Sequence, residues 1–192
     1  MAAHPGTERA RREAWRRVLH VASGALGPLA VLAGPAIATP GFATLVVIAV
    51  IAETTRLSST RARAFLDRLA GGAFRPGETG APSGAGTLAL GYALAWWLFP
   101  PAAAEAAIVV AAIADPAAAL VGSRFGRGAG KSLPGSLACA MAAALVLVLL
   151  HVGPVGVAAA AVGAALAERA PWRGTDNIAV PLVVAALLRW LR

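Results

Sequence analysis

Charge is confined to short stretches of this chain, and long apolar segments separate those stretches. The Lys and Arg residues concentrate at 9–17, 56–75, 124–131 and 169–173. Of the nine acidic residues, all but Glu105 lie in or beside these stretches. If the apolar segments are membrane helices, nearly every ionisable group falls on one face of the membrane. The pattern therefore predicts an active site at a membrane surface.

The overall composition is typical of an integral membrane protein. Hydrophobic residues make up 58% of the 192 residues and charged residues 14%, with a mean hydropathy of +0.71, whereas soluble domains carry about 25% charged residues. The net charge of +8 fits a topogenic signal, and it also suits an anionic substrate such as a nucleotide or phospholipid. Because the basic residues are spread over several short loops, no nucleic-acid partner is expected. Cys139, the single cysteine, excludes an internal disulfide and is expected to be a small packing residue.

Seven apolar segments are predicted to be helices. They lie at 18–35, 40–55, 85–103, 105–122, 136–152, 154–167 and 177–191. A helix needs about 20 apolar residues to cross the hydrocarbon core, so the shorter segments would be tilted pairs or partial spans. No strand pattern with a period of two competes, and an open sheet cannot satisfy its backbone in lipid. We therefore predict an all-α polytopic membrane bundle of about seven transmembrane helices, with a basic segment at 1–17 and one catalytic domain at 18–192.

The connections between these segments fall into two classes. Those at 34–40, 100–101 and 153–154 contain no Lys or Arg, and the others carry the basic residues. The positive-inside rule then places the N-terminus in the cytoplasm and leaves only Arg189 and Arg192, of 17 Lys and Arg, outside. The expected protein is multi-pass in the cell membrane, with its active site on the cytoplasmic side. The N-terminus also resembles a secretory signal, but further apolar segments follow it.

Asp115 is an acidic residue within an apolar segment. It lies seven residues before Gly122, so a helix would place it roughly 10 Å inside the cytoplasmic helix end. Burying a carboxylate in a membrane costs several kcal/mol unless it is paired, protonated or bound to a metal. Two interpretations stay open, a structural ion pair with an Arg and a Mg²⁺ ligand whose shell a triphosphate completes.

The stretch 122–132 is rich in glycine and looks like a phosphate-binding loop. It is not a Walker motif, because Phe125 stands where that motif needs Gly and no strand precedes it. Glycines nevertheless let backbone N–H groups turn towards an anion, and the start of the following helix favours one. Charge and hydroxyls come from Arg124, Arg127, Lys131, Ser132 and Ser136. The alternative is an ordinary basic cytoplasmic loop.

Other polar residues border the remaining apolar segments. Glu53 and Arg56 are one helical turn apart, which suits an ion pair as well as a functional site. His20 is an interfacial residue or a catalyst, and Asp176-Asn177 is a helix cap or part of a site. One cytoplasmic layer would contain His20, Glu53, Glu78, Asp115, Lys131, Glu168 and Asp176. Phosphoryl transfer needs such carboxylates for Mg²⁺, cations for the phosphates and a base for the attacking hydroxyl.

Two sequence blocks resemble the signature of the CTP-dependent lipid kinases. They read ADPAAALVGSRFG at 114–126 and KSLPGSLA at 131–138. That family includes dolichol kinase, phytol kinase and the fungal-type diacylglycerol kinase, and it is similar to the phosphatidate cytidylyltransferases. Looser matches follow in the same order, so the resemblance spans about residues 16–185. They are Arg16-Arg17 with His20 and Gly24, Glu53 with Arg56, Arg75 to Glu78 with Ser83-Gly84, and Glu168 with Asp176-Asn177 and Pro181.

The resemblance implies transfer of the γ-phosphate of CTP to a membrane alcohol, with Mg²⁺ or another divalent cation. The implied catalytic residues are Asp115, Asp176, Glu78 and His20, and the implied metal ligands are Asp115, Glu53 and Glu168. The implied nucleotide-binding residues are Gly122, Arg124, Gly126, Lys131, Ser132, Gly135, Ser136, Asn177 and Arg56. Two positions depart from the family pattern, since Ala114 stands where Gly is common and Pro134 where Glu is common.

Other functions remain open at this point. A CTP-dependent cytidylyltransferase would make a CDP-lipid and release pyrophosphate from the same residue types. A small transporter would need polar residues along a whole path, and the outer half offers only Glu105 and His151. The expected partners of the kinase are the nucleotide, a lipid alcohol such as an isoprenoid alcohol or diacylglycerol, and the bilayer. The sequence sets neither the acceptor nor the oligomeric state.

Overall fold

The protein is all-helical in the computed structural model, which describes residues 5–69, 80–126, 131–169 and 175–191. The helices in those residues are α1 (Pro5–Leu32), α2 (Pro35–Ser58), α3 (Thr60–Leu69), α4 (Gly84–Leu98), α5 (Pro101–Phe125), α6 (Leu133–Leu149), α7 (Pro154–Glu168) and α8 (Asp176–Leu191). No β-strand occurs in this part of the chain, so the all-α prediction is confirmed.

Each predicted apolar segment corresponds mainly to one helix, and α3 is an additional short helix. The predicted segments 18–35, 85–103 and 136–152 run past the helix ends at Leu32, Leu98 and Leu149. The basic segment and the first apolar segment are continuous, because α1 runs without a break through residues 17 and 18. Two of the described helices, α2 and α5, are long and apolar enough to cross a membrane by length and composition. The most apolar window of α2 is 11% buried and that of α5 is 39% buried.

The two ends of the bundle use different residues to begin their helices. At the end without basic residues, α2, α5 and α7 begin at prolines, whose missing N–H is not needed in the first turn. At the other end, Ser83 caps α4 by accepting a hydrogen bond from the Gly86 N–H at 3.2 Å. Ser132 caps α6 in the same way, from the Gly135 N–H at 3.2 Å. Helix capping therefore places the polar side chains of Ser83 and Ser132 at this end of the bundle.

Small residues form the core, and α5 lies at its centre. This helix packs against α1, α4, α6, α7 and α8. Seven of its nine buried residues are alanines, and Ile108 and Val110 are the other two. Small side chains let helix backbones approach closely, which is how apolar helices associate without large hydrophobic contacts. At Gly91, α4 lies against the backbone of α8, where an added Cβ would be 2.2 Å from the Asn177 carbonyl oxygen.

Replacing Gly91 with alanine is expected to force α4 and α8 apart. The new methyl group meets backbone atoms of α8 that cannot rotate away, so we expect Gly91→Ala to destabilise the protein by about 1–3 kcal/mol. Gly41→Ala is the matched control, because Gly41 lies in α2 with no atom within 4 Å of the added Cβ. That control should be neutral or stabilising by up to about 1 kcal/mol. Thermal unfolding in detergent measures both, and equal stability of the two variants would contradict the close packing of α4 on α8.

Candidate active site

Lys131 joins two carboxylates that belong to different helices. Its Nζ lies 2.5 Å from Asp176 Oδ2 at the start of α8 and 3.1 Å from Glu168 Oε1 at the end of α7. The ammonium also donates a hydrogen bond to the Glu168 backbone carbonyl. The side chain of Glu168 is 9% exposed and that of Asp176 is 17% exposed, whereas that of Lys131 is 33% exposed. The lysine therefore neutralises a largely desolvated pair of acids and remains open to solvent.

Ser136 connects this group to α6. Its hydroxyl oxygen lies 3.0 Å from Glu168 Oε2 and 3.2 Å from the Ser132 carbonyl oxygen, and its one proton can be donated to either acceptor. Arg169 Nη1 in turn donates to Ser136 Oγ at 3.4 Å. These contacts together connect the chain before α6, the first turn of α6, the end of α7 and the start of α8. We call Lys131, Ser136, Glu168 and Asp176 the lysine cluster.

Burial and ion pairing act in opposite directions on Lys131. Burial alone would lower the pKa of the ammonium, but hydrogen bonding and the negative charges of Asp176 and Glu168 outweigh it and raise that pKa above its ordinary value. The lysine is therefore charged throughout the neutral range. It can balance the two acids, or bind phosphate oxygens, without a change in its protonation.

Asp115 is half-buried on α5, the helix that packs against α6. It lies one turn before Ala118, whose carbonyl oxygen would be 3.0 Å from a Cβ added to Gly135 in the first turn of α6. Asp115 therefore lies on the part of α5 that adjoins the start of α6. That Asp115 shares one layer with Lys131, Glu168 and Asp176 stays a prediction.

Three of the predicted nucleotide-binding glycines pack α5 against α6 around Ser132. An added Cβ on Gly126 would lie 2.7 Å from Ser132 Cβ, and one on Gly122 would lie 3.1 Å from Ser132 Oγ. An added Cβ on Gly135 would lie 3.0 Å from the Ala118 carbonyl oxygen. These glycines therefore let the end of α5 approach the start of α6, whatever else they bind. Arg124 is exposed nearby, with its guanidinium 5.8 Å from the Phe125 ring centre.

Glu53 and Arg56 form a second cluster at the end of α2. Arg56 Nη2 lies 2.5 Å from Glu53 Oε2, so the ion pair that the spacing allowed is present. The same nitrogen donates to the Ala81 carbonyl at 2.5 Å, and Glu53 Oε1 accepts the Ser83 N–H at 3.0 Å. Arg56 is 2% exposed. These contacts hold the segment before α4 against α2, which gives both residues a structural role.

Asn177 connects the two clusters through α4. Its side-chain amide donates to the Gly84 carbonyl at 2.9 Å and to Thr87 Oγ1 at 3.0 Å. Thr87 donates to the Ser83 carbonyl at 3.1 Å, and Ser83 is bonded to Glu53. A continuous series of contacts therefore crosses one end of the bundle, from α2 through α4 and α8 to α7 and α6.

Sequence reasoning missed Thr87 and Tyr92, whose hydroxyls make hydrogen bonds between helices. Thr87 gave no signal, because a hydroxyl in an apolar helix is common. Tyr92 is the single tyrosine, in the middle of an apolar segment, and its buried hydroxyl donates to the Gly24 carbonyl at 3.0 Å. A single tyrosine within an apolar segment is a signal that could have been recognised from the sequence, because a buried hydroxyl needs a hydrogen-bond partner. The side chains of Glu78 and His20 lie outside the described residues, although His20 belongs to α1.

The donor chemistry of the lysine cluster suits a magnesium ion that is shared with a phosphate ligand. Mg²⁺ is usually bound by one or two carboxylates, phosphate oxygens and water rather than by a protein cage. No group of three or more His, Cys, Asp and Glu side chains is placed to hold a metal ion in the described part of the chain. The predicted ligands Asp115, Glu53 and Glu168 accordingly do not form such a group. Glu168 and Asp176 remain a pair of hard oxygen donors held together by Lys131.

Comparison with protein-family models, curated proteins and solved structures gives no significant match to this chain.

Removing the lysine charge is expected to destabilise the protein over a defined pH range. Lys131→Met leaves two carboxylates desolvated beside each other, which should cost about 1–3 kcal/mol at neutral pH. Because the pKa of Lys131 is raised, its contribution is complete below the ordinary lysine pKa and is lost as the pH rises through the raised value. The difference in unfolding free energy between the wild type and Lys131→Met should thus stay constant between about pH 6 and about pH 9, and become smaller only at higher pH.

Arg124→Met is the matched control, since it removes an exposed cation in the last turn of α5 without removing a contact to a carboxylate of the lysine cluster. It should change stability by less than about 0.5 kcal/mol. Chemical denaturation of the three proteins at several pH values gives the comparison. A Lys131→Met protein as stable as wild type at pH 7 would show that the ion pairs contribute nothing to the fold.

Proposed function

We propose that the protein is a polytopic membrane enzyme that transfers the γ-phosphate of CTP to a lipid alcohol at the cytoplasmic face. The observation that carries this proposal is the lysine cluster, in which one cation joins acids of two helices at the end of an apolar bundle. Asp115, an acid on a third helix, lies one turn before Ala118, which packs against Gly135 at the start of α6. A structural ion pair needs one acid, whereas phosphoryl transfer needs several acids and a cation together.

Membrane insertion is supported by the surface of the bundle. Large apolar side chains are exposed on most helices, and monomeric soluble proteins rarely expose such extended apolar surface. The most apolar stretch of α2 is mostly exposed, whereas the core helix of a soluble protein is mostly buried. Trp97 and Trp190 are exposed near the ends of α4 and α8, as expected of an aromatic belt at the outer interface. The basic loops would then lie in the cytoplasm.

The nucleotide phosphates are proposed to bind where α6 begins. The N-terminus of this 17-residue helix favours an anion, and its first turn offers the hydroxyl of Ser136. Lys131 and Arg169 supply positive charge beside that hydroxyl. The exposed part of Lys131 lets it contact phosphate oxygens from the solvent side. Ser132 and the adjoining glycines position this turn rather than contribute charge.

The proposed reaction exchanges one phosphorus–oxygen bond for another. The hydroxyl oxygen of the lipid attacks the γ-phosphorus, the bond from that phosphorus to the bridging oxygen breaks, and CDP leaves. A carboxylate of the site accepts the hydroxyl proton. Glu168 and Asp176 would hold a Mg²⁺ ion, which supplies charge neutralisation of the phosphate oxygens when bound. Lys131 keeps the two acids together in the absence of that ion, and Asp115 would contribute a further carboxylate from α5.

The direct test is transfer of label from γ-labelled CTP to a lipid. Purified protein with Mg²⁺ is incubated with one of four alcohols, phytol, farnesol, a polyprenol or diacylglycerol, and separately with phosphatidate. A kinase labels an alcohol and releases CDP, whereas a cytidylyltransferase uses the phosphate of phosphatidate, places the label in pyrophosphate and forms a CDP-lipid. The acceptor and the nucleotide product thus separate the two reactions. No labelled lipid from any of the four alcohols, with folded protein, would overturn the proposal.

Asp115→Asn is expected to lower transfer by about 100-fold or more, because the substitution removes a charge that acts in the transition state. Glu105→Gln is the matched control, since Glu105 lies near the opposite end of the same helix. That variant should keep activity close to wild type. Equal activity of the two variants would remove Asp115 from the chemistry while leaving the assignment of the lysine cluster to be tested by Asp176→Asn in the same assay.

A further inference from the structure

The short helix α3 presents two unlike faces. Ala62, Arg63 and Leu66 are half-buried on the side towards α2, and Arg63 Nε donates to the Arg56 carbonyl at 3.4 Å. Among the described elements, α3 packs only against α2. A guanidinium at the carbonyl end of α2 also complements the helix dipole. The fold therefore fixes one face of α3 and leaves the other without a protein contact in the described chain.

The exposed face of α3 alternates positive charge with an aromatic ring. It consists of Arg61, Ala64, Phe65 and Arg68, which are spaced to lie on one side of a helix. Phe65 is 64% exposed, so most of its ring has no contact with the protein. An arginine lies one turn on either side of the ring. With Arg63 and Asp67 included, the helix carries three cations and one anion.

The helix that precedes α3, α2, is apolar and exposed along much of its length. Val47, Ile48 and Ile51 are each more than half exposed, and Leu57 is 40% exposed at the end of α2. The apolar surface thus runs the length of α2 and ends at a helix with arginines. A bilayer changes in the same order along its normal, from hydrocarbon to headgroup phosphates.

We infer that α3 lies in the headgroup layer of the cytoplasmic leaflet and binds anionic phospholipid. Phe65 inserts at the boundary with the acyl chains, as aromatic residues of interfacial helices do. Arg61 and Arg68 bind the phosphates of neighbouring anionic lipids, where each cation near such a surface contributes through charge attraction. This inference rests on membrane insertion and not on the kinase activity, so it can fail or succeed independently of the transfer assay.

The depth of Phe65 in the membrane tests the first half of the inference. A single-cysteine protein, Cys139→Ala with Phe65→Cys, carries a bimane fluorophore and is reconstituted in vesicles of phosphatidylcholine with added phosphatidylglycerol. We expect quenching by a lipid with its nitroxide near the headgroup end of the acyl chain, and little quenching by a water-soluble nitroxide. Quenching mainly by the aqueous reagent would overturn the inference. A loss of fluorescence that increases with protein density in the vesicle would indicate contact between the bimane groups of two copies. That result would also overturn the inference, because a second copy of this chain, and not lipid, would then cover position 65.

The dependence on lipid charge tests the second half. Lipid quenching should rise with the fraction of phosphatidylglycerol, and Arg61→Gln with Arg68→Gln should weaken the response to phosphatidylglycerol about tenfold. Arg124→Gln with Arg189→Gln is the control, because it removes two exposed cations elsewhere and should keep the response. Quenching that is the same in neutral and anionic vesicles would overturn the binding of anionic headgroups. Because all four arginines are exposed, thermal unfolding should show no loss of fold in either variant.

Discussion

The ammonium of Lys131 is the contact on which the polar end of the bundle depends. Without a cation, the acids of α7 and α8 would repel each other in a region from which much of the water is excluded. With it, the chain before α6 is tied to both helices, and Ser136 draws α6 into the same group. A single charge thus sets the relative positions of three helix ends. The same charge is the one that a phosphate would use, so stability and the proposed chemistry depend on one side chain.

The apolar body of the bundle decides which polar groups can meet. Helices packed through alanine and glycine approach closely, so that short polar side chains of one helix reach the backbone of the next. Gly91 allows α8 to lie against α4, which brings Asn177 within reach of Thr87 and Gly84. Glycines at the end of α5 similarly seat the first turn of α6. The hydrogen-bonded layer is therefore a result of close helix packing as well as of its own contacts.

Different parts of this structure could be predicted from the sequence to different degrees. Long apolar segments predicted helices well, because an apolar run of that length has few other ways to satisfy its backbone. The short helix α3 was missed since its arginines interrupt the apolar pattern on which that search relied. Placing the basic loops on one side of the membrane predicted that Lys131, Glu168 and Asp176 lie in the same layer. It did not predict that Lys131 forms ion pairs with the two acids. That pairing, like the contact of Arg56 with the Ala81 carbonyl, depends on how helices distant in sequence pack, and no local pattern records it.

We propose that the ends of α2, α5 and α7 that adjoin the two clusters share one side of a membrane. Single cysteines placed at Ser58, Arg124, Arg169, Pro100 and His151 in a Cys139→Ala background can be labelled with a membrane-impermeant thiol reagent, in vesicles of known orientation. We expect the cysteines that replace Ser58, Arg124 and Arg169 to react from the cytoplasmic side, and those that replace Pro100 and His151 to react from the other side. Reaction of the cysteines at positions 124 and 169 from opposite sides would contradict a shared site at one face.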